Sequence, residues 1–207
     1  NRFDLDAVII FSDILIVLYG LGQNVKLKKN FGPILNNFVF DELINTSESD
    51  FIKKVFPVYN SIKNIKAKIN YNNKSIIGFS GAPWTLLVYM MNKKTPKKNF
   101  NMNKIIKDKS LTNKLLNKIE NIICLHVDKQ IEAGADVIQI FDSWAGLLSK
   151  KDLPNYCYIP NLKIVDYIKS KKVPVICFPR GIGKNYKEFC SFVKPDCISI
   201  DHEIDPK

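Results

Sequence analysis

Short apolar segments that alternate with helical segments are the feature that most constrains the fold of this chain. Five segments have the length and apolar character of strands buried on both faces. They span 7–11, 75–79, 136–141, 174–178 and 196–200. Strands that alternate with helices form a parallel sheet with right-handed crossovers. The sequence therefore predicts an α/β fold.

The segments between these strands predict the helices. Apolar residues recur at helical spacing in 111–132, and Pro83 suits the first turn of a helix over 84–91. Shorter helices are predicted over 161–171 and 184–193. The stretch 20–40 contains glycine and asparagine and is predicted to be a long βα loop, a type of segment that often carries function.

Polar or glycine residues follow three of the predicted strands. Ser12 and Asp13 end the first strand, and Asp142 and Ser143 end the third. The second ends in the run Gly-Phe-Ser-Gly-Ala-Pro-Trp-Thr-Leu at 78–86. Parallel α/β folds place their chemistry at these carboxyl ends. An acid there can instead cap a helix, an alternative equal in weight to ligand contact for Asp142. Asp13 precedes an apolar run, where a buried carboxylate indicates function.

Composition limits the classes of partner. The 207 residues are 46% hydrophobic and 25% charged, as in globular proteins, and no apolar run approaches the ~20 residues of a membrane span. The net charge of +11 comes from lysines spread along the chain, and only Arg2 and Arg180 are arginine. Because nucleic-acid recognition usually recruits arginine, we expect neither a nucleic-acid nor a membrane partner.

The five cysteines show no paired spacing, which favours a reducing compartment over a disulfide framework. They also form no His-x-Cys pair of the kind that binds zinc. We therefore expect neither a disulfide nor a metal site. His126 lies on an apolar helical face and is interpreted as structural, and His202 is given no catalytic role.

Three motifs, taken together, resemble the uroporphyrinogen decarboxylase family. They are Phe-Ser-Asp-Ile-Leu at 11–15, the run at 78–86 with Tyr89, and Phe-Asp-Ser-Trp-Ala-Gly at 141–146. They occur in the order of the family and at about its separations. The resemblance implies a (β/α)8 TIM barrel, present as an incomplete segment of about five βα units. It also implies that 1–207 form one domain, the central part of a barrel without its first strand and its last two strands.

The resemblance implies a cofactor-free decarboxylation. The four acetate side chains of uroporphyrinogen III would be decarboxylated to give coproporphyrinogen III in haem biosynthesis. A protonated pyrrole accepts the electrons of the departing group, so that no metal or organic cofactor is required. Asp13 would be the catalytic anion that faces the pyrrole N–H groups. The positive charge of the chain suits a substrate with eight carboxylates.

Further substrate-binding roles follow from the resemblance, each with a structural alternative. Tyr89 would donate a hydrogen bond, or be an interfacial core tyrosine. Ser143 would contact a carboxylate, or cap a helix. Phe11, Phe79 and Phe141 would form walls around the macrocycle, or pack in the core, and Arg180 would bind a carboxylate or belong to a plain turn. The family usually has a glycine-rich loop after Tyr89, whereas this chain has Asn-Lys-Lys-Thr-Pro at 92–96.

The resemblance also implies a homodimer in the cytoplasm or a plastid. Two rival hypotheses remain at this point. One is a zinc-dependent corrinoid or thiol methyltransferase of the same superfamily, and the other is a catalytically incomplete barrel fragment that only binds.

Overall fold

A five-stranded parallel sheet forms the centre of the chain. The computed structural model describes residues 5–29, 32–68, 74–97 and 100–205. Within the sheet the strand order is β1-β4-β5-β6-β7, and every neighbouring pair is parallel. The strands are β1 (Ala7–Ile9), β4 (Ser75–Gly81), β5 (Val137–Asp142), β6 (Val175–Pro179) and β7 (Cys197–Ile198). The predicted α/β architecture and its five parallel strands are confirmed.

Eight α-helices occur in the described residues: α1 (Ile16–Gly20), α2 (Phe40–Asn45), α3 (Glu48–Lys66), α4 (Pro83–Asn92), α5 (Asn103–Ile106), α6 (Lys109–Glu132), α7 (Ile159–Ser170) and α8 (Tyr186–Val193). Local chemistry explains where the longest of them begin. The Ser47 hydroxyl caps α3, and the Asp108 carboxylate caps α6 by accepting the Leu111 amide at 2.9 Å. A short π-helical segment, Pro154–Tyr158, precedes α7, and a 3-10 turn, Gly183–Asn185, precedes α8.

The stretch 20–40 is not a plain loop, so this part of the sequence prediction is wrong. It contains an antiparallel hairpin of β2 (Val25–Lys28) and β3 (Gly32–Leu35). Its connecting residues 30 and 31 lie outside the described residues. The Gln23 side chain is fully buried, and its Nε2 donates to the Asn36 carbonyl at 2.8 Å and to the Met90 carbonyl at 3.1 Å. These hydrogen bonds hold the hairpin against α4 and are tertiary contacts that periodicity does not reveal.

Burial alternates along the central strand and distinguishes the two faces of the sheet. Ile138 and Ile140 are fully buried, whereas Val137, Gln139 and Phe141 are half-buried. Ile138 pairs with Gly78, where an added Cβ would point at the Gln130 side chain of α6, 2.7 Å from its Oε1. The fully buried residues Ile138 and Ile140 therefore face the helices. The opposite face, which is the interior face in a (β/α)8 barrel, carries the strand-end aromatic residues.

Candidate functional site

Asp13 lies at the end of β1 in a left-handed turn with φ 70°. Its Oδ1 accepts a hydrogen bond from the Leu15 amide at 2.9 Å, just before α1 begins. The side chain is half-buried and lines a cavity of about 230 Å³ with Tyr19 and Leu27. Aspartate tolerates this backbone region because its short side chain bonds locally. Contrary to the sequence interpretation, Asp13 is therefore not a fully buried acid, and it does form a turn.

Four phenylalanine rings form an aromatic row across the ends of the strands. Phe11 stacks on Phe79 with ring centroids 5.9 Å apart, Phe79 meets Phe141 edge-on at 5.7 Å, and Phe141 meets Phe178 at 6.4 Å. Phe11 begins the row and is 81% exposed. Sequence reasoning singled out the first three but missed Phe178, which pairs with Phe141 in the register of β5 and β6. The row presents an apolar surface on the interior face.

Tyr89 is held beside the end of β5. Its ring meets the Trp144 ring at 65° with centroids 5.9 Å apart, and the side chain is half-buried. Trp84, on the same helix, donates its Nε1–H to the Trp144 carbonyl at 3.1 Å. The Ala82 amide donates to the Phe141 carbonyl at 2.9 Å. These contacts join the two glycine-containing motifs of the sequence into one unit.

Ser143 and Arg180 line one surface pocket of about 350 Å³ together with Lys97. The Gly146 amide donates to the Arg180 carbonyl at 2.9 Å. Added to Gly146, a Cβ would lie only 2.7 Å from the Gly181 carbonyl oxygen, so glycine is required for this close approach. In the described part of the chain, no hydrogen bond uses the Ser143 side chain, and the N-cap alternative has no support. The pocket combines two cations with a hydroxyl.

Lys97 is a pocket residue that was not predicted from the sequence, where it is one of several lysines after the helix. The loop that contains Lys97 is fixed in place. Pro96 is buried, the Leu35 amide donates to the Lys93 carbonyl at 2.8 Å, and Lys94 forms an antiparallel bridge with Ile34. The lysines that follow α4 can be identified in the sequence. Only the contact of this loop with the hairpin, however, brings Lys97 into the same pocket as Ser143. Residues 98 and 99, which follow Lys97 in this loop, lie outside the described residues.

The six expected site residues fall into three groups along the sheet edge. Ser143 and Arg180 share the pocket with Lys97, and Tyr89 adjoins it through Trp144. Phe11 and Phe141 belong to the aromatic row. Asp13 lines the separate cavity near the hairpin. Its neighbour Ile14 packs against Gly81, which connects the end of β1 to the Gly81-Ala82-Pro83 turn.

Asp142 is a buried acid at the end of β5. It is 1% exposed, and its carboxylate accepts hydrogen bonds from Thr85 Oγ1 at 2.7 Å and from Asn161 Nδ2 at 3.0 Å. Burial raises the pKa of Asp142 to about 6, although these hydrogen bonds favour the charged form. The side chain lies in the core and not on the pocket wall. This geometry matches the supporting role that the sequence left open.

The raised pKa of Asp142 predicts a pH-dependent contribution to stability. Between pH of about 4 and 6 the folded protein holds a proton that the unfolded chain has released, so stability from this group falls as pH rises. Above pH 6 the free energy of unfolding is lower by about 3 kcal/mol than at low pH, because the pKa rises from 3.8 to about 6 and each pKa unit is worth about 1.4 kcal/mol. The buried Cys157 and Cys177 thiols interact with Asp142, and burial raises the pKa of each, so both stay neutral in this range.

We expect Asp142→Asn to remove this titration. Urea unfolding of the wild type and the variant at a series of pH values measures the difference in their free energies of unfolding. The stability of the wild type relative to the variant should decrease from pH 4 to 6 and then level off. A difference that is constant with pH would contradict the assigned pKa.

The two histidines lie outside this edge. His126 is fully buried on α6, its Nδ1 is 3.0 Å from the Tyr59 hydroxyl, and burial lowers its pKa to about 3. A neutral, buried His126 fits the structural interpretation. His202 is exposed, 3.7 Å from Glu203. Within the described residues, no cluster of three or more histidine, cysteine, aspartate or glutamate side chains is suited to hold a metal ion.

Fold and site together define a TIM-barrel-like α/β protein with a candidate site at the carboxyl ends of its strands. A methyltransferase from Methanosarcina mazei shares this fold with a TM-score of 0.69 and 16% identity, over 95% of this chain and 64% of the methyltransferase. The family profile described as Uroporphyrinogen decarboxylase (URO-D) matches residues 1–207. The chain belongs to the uroporphyrinogen decarboxylase family, and the resemblance of the three motifs is confirmed.

Two bacterial relatives give the extent of the match. The uroporphyrinogen decarboxylase of Rickettsia bellii is 38% identical over 205 residues, which cover 97% of this chain and 60% of the relative. That of Rickettsia canadensis is 36% identical over 208 residues, which cover 99% of this chain and 61% of the relative. The chain thus spans about 60% of the length of the curated relatives it matches. None of the helices in the described residues has the length and apolar character needed to cross a membrane.

Proposed function

We propose that this chain forms the central catalytic segment of a uroporphyrinogen decarboxylase. The reaction is the cofactor-free conversion of uroporphyrinogen III to coproporphyrinogen III by loss of four acetate carboxyl groups. One observation carries the proposal: an acid, an apolar aromatic row and a pocket with two cations lie along one edge of the sheet. A tetrapyrrole with an apolar ring and charged side chains needs these three kinds of surface.

The proposed chemistry assigns the anion to Asp13. Protonation of a pyrrole carbon beside an acetate makes a cation that accepts the electrons of the departing carboxyl group. A fixed carboxylate near the ring nitrogens stabilises this charge more in the transition state than in the ground state. Since Asp13 uses Oδ1 for the Leu15 amide, its other oxygen is the one that would face the pyrrole N–H groups.

The binding roles follow from the aromatic row and the pocket. Phe11, Phe141 and Phe178 would cover the faces of the macrocycle, and the buried Phe79 would support Phe11 from below. Ser143, Arg180 and Lys97 would hold acetate or propionate carboxylates, because lysine, arginine and a hydroxyl are donors that suit them. The Tyr89 hydroxyl would donate a further hydrogen bond to the substrate.

The direct test is an assay of the complete gene product with uroporphyrinogen III under anaerobic conditions. Products are oxidised to porphyrins and separated by their number of carboxyl groups. We expect intermediates with seven, six and five carboxyl groups and then the four-carboxyl product, without added metal or cofactor. Failure to lose any carboxyl group would leave the methyltransferase and binding alternatives for this protein.

The methyltransferase alternative has support from the fold of the Methanosarcina mazei protein. Its chemistry needs thiolate-bound zinc. Stoichiometric zinc in the purified complete protein, retained through mild chelation, would favour this alternative. We further propose a homodimer in the cytoplasm, with no nucleic-acid partner. The relatives named above are bacterial and give no support to a plastid location.

Lys97→Met tests the carboxylate pocket. Loss of one cation should raise KM for uroporphyrinogen by about fivefold to thirtyfold with little change in kcat, because a charge-assisted hydrogen bond is worth about 1–2 kcal/mol. Lys94→Met is the matched control, since Lys94 lies in the same loop but does not line the pocket. Equal KM values for the two variants would remove Lys97 from the proposed site.

A further inference from the structure

Asp142 contacts three separate elements from the end of β5. Its Oδ1 accepts from Thr85 on α4 at 2.7 Å, and its Oδ2 accepts from Asn161 on α7 at 3.0 Å. Its backbone carbonyl accepts from the Arg180 amide after β6 at 3.1 Å. Asp142, Thr85 and Asn161 are each no more than 1% exposed. The Asp142 side chain therefore fixes α4 and α7 relative to the end of β5. Its backbone carbonyl joins β5 to the end of β6.

The contact with Thr85 extends to the turn that contains Ser143. Thr85 Oγ1 also accepts the Trp144 amide at 3.0 Å. A hydroxyl has one hydrogen and two lone pairs, so donation of its hydrogen to Asp142 leaves a lone pair for the Trp144 N–H. Thr85 precedes Tyr89 by four residues on α4, and both are on the side of the helix that meets Trp144. The charge on Asp142 thereby orients a chain of contacts that ends at Tyr89.

An aspartate is a costly residue at this buried position. Taking a carboxylate out of water is unfavourable even when it is hydrogen-bonded, and packing alone is served as well by an apolar residue. Asp142 does not line the pocket that contains Ser143 and Arg180. Its burial is therefore best explained by the partners that it holds.

We propose that the Asp142 side chain is a positioning group that sets Tyr89 and Ser143 relative to one another through Thr85. The proposal rests on the proposed function, because these two residues are among its substrate-binding groups. Asp142 itself touches no substrate. Its loss alters the geometry of the site and lowers kcat, beyond any loss of stability.

The experiment uses four single variants of the complete protein and the double variant Asp142→Asn with Thr85→Val, each assayed well below its unfolding temperature. Asp142→Asn replaces one acceptor oxygen with a donor, Thr85→Val removes the hydroxyl while keeping the shape, and Thr85→Ser keeps the hydroxyl. Asp136→Asn is the matched control. Asp136 precedes β5 at its opposite end, where its carboxylate accepts from the Ile76 amide at 2.8 Å and from Lys66 at 2.5 Å.

Two readouts are compared: kcat for uroporphyrinogen III and amide hydrogen exchange in segment 142–147. We expect Asp142→Asn and Thr85→Val each to lower kcat by about tenfold or more and to speed exchange at the Trp144 amide. The kcat of the double variant should be no lower than that of the more impaired single variant, since both substitutions break the same chain of contacts. Thr85→Ser and Asp136→Asn should keep wild-type kcat and wild-type exchange in this segment.

Unchanged kcat or unchanged Trp144 exchange in Asp142→Asn would overturn the proposal, as would losses in the double variant that multiply. An equal loss of kcat in Asp136→Asn would overturn it too, because general destabilisation would then explain the effect. An inactive wild type would reject the proposed function instead. In that case the exchange data still decide whether Asp142 holds the turn.

Discussion

Asp13→Asn in the complete gene product is expected to lower turnover of uroporphyrinogen by about 10²–10³-fold, the usual effect of removing one preorganised electrostatic group. The fold should be retained, for two structural reasons. Asparagine keeps the Oδ1 acceptor for the Leu15 amide, and it tolerates the left-handed φ of 70° nearly as well as aspartate. Only the negative charge is lost. Single-turnover kinetics with unfolding curves for both proteins would measure the two effects separately.

Two companion variants separate charge from position. Asp13→Glu keeps the charge but extends the arm by about 1 Å, and displacements of this size are costly in active sites. It also cannot make the same short turn to the Leu15 amide. Tyr89→Phe removes one neutral hydroxyl and should do less harm than either change at Asp13. Near-normal turnover in a folded Asp13→Asn protein would assign Asp13 to turn formation alone.

The strands and long helices could be predicted because their signals are local. Each strand is a short apolar run, and Pro83 and the spacing of apolar residues in 111–132 give the bounds of α4 and α6 within a few residues. The β2–β3 hairpin could not be predicted in this way. It has only four residues in each strand, and its stability depends on Gln23 and on contacts with the loop after α4.

Part of the candidate site could also be predicted, because some of its residues have local sequence signals. Strand-end residues such as Asp13 and Ser143 are visible because they interrupt apolar runs. Their neighbours are not visible, since sheet register brings Phe178 to Phe141 and loop anchoring brings Lys97 to Ser143. Asp142 shows the same limit. The sequence is equally consistent with a supporting role and with ligand contact for this residue. Only its burial, together with the hydrogen bonds from Thr85 and Asn161, favours the supporting role.

The largest loss of stability is expected for Trp84→Ala. Trp84 is fully buried, its ring lies 5.5 Å from that of Tyr156, and its indole N–H donates to the Trp144 carbonyl at 3.1 Å. Truncation leaves a cavity between α4 and the segment before α7. It also removes one of the two donors to the Trp144 carbonyl, which keeps the Leu147 amide at 3.0 Å. Together these effects should lower the free energy of unfolding by about 3–5 kcal/mol, a large share of the stability of a typical protein. Urea unfolding of the complete protein measures the change.

The physical origin of that loss can be resolved with two further variants. Trp84→Phe keeps most of the apolar surface but removes the donor to Trp144, so it should cost about 1–3 kcal/mol and isolate the hydrogen-bond contribution. Phe56→Ala is the control for aromatic truncation, because Phe56 on α3 is 55% exposed and its removal leaves little cavity. We expect a cost of about 1 kcal/mol or less there. Equal losses for Trp84→Ala and Phe56→Ala would mean that Trp84 does not anchor α4. Tyr89 would then owe its place beside Trp144 to the contacts of Thr85 and Asp142 alone.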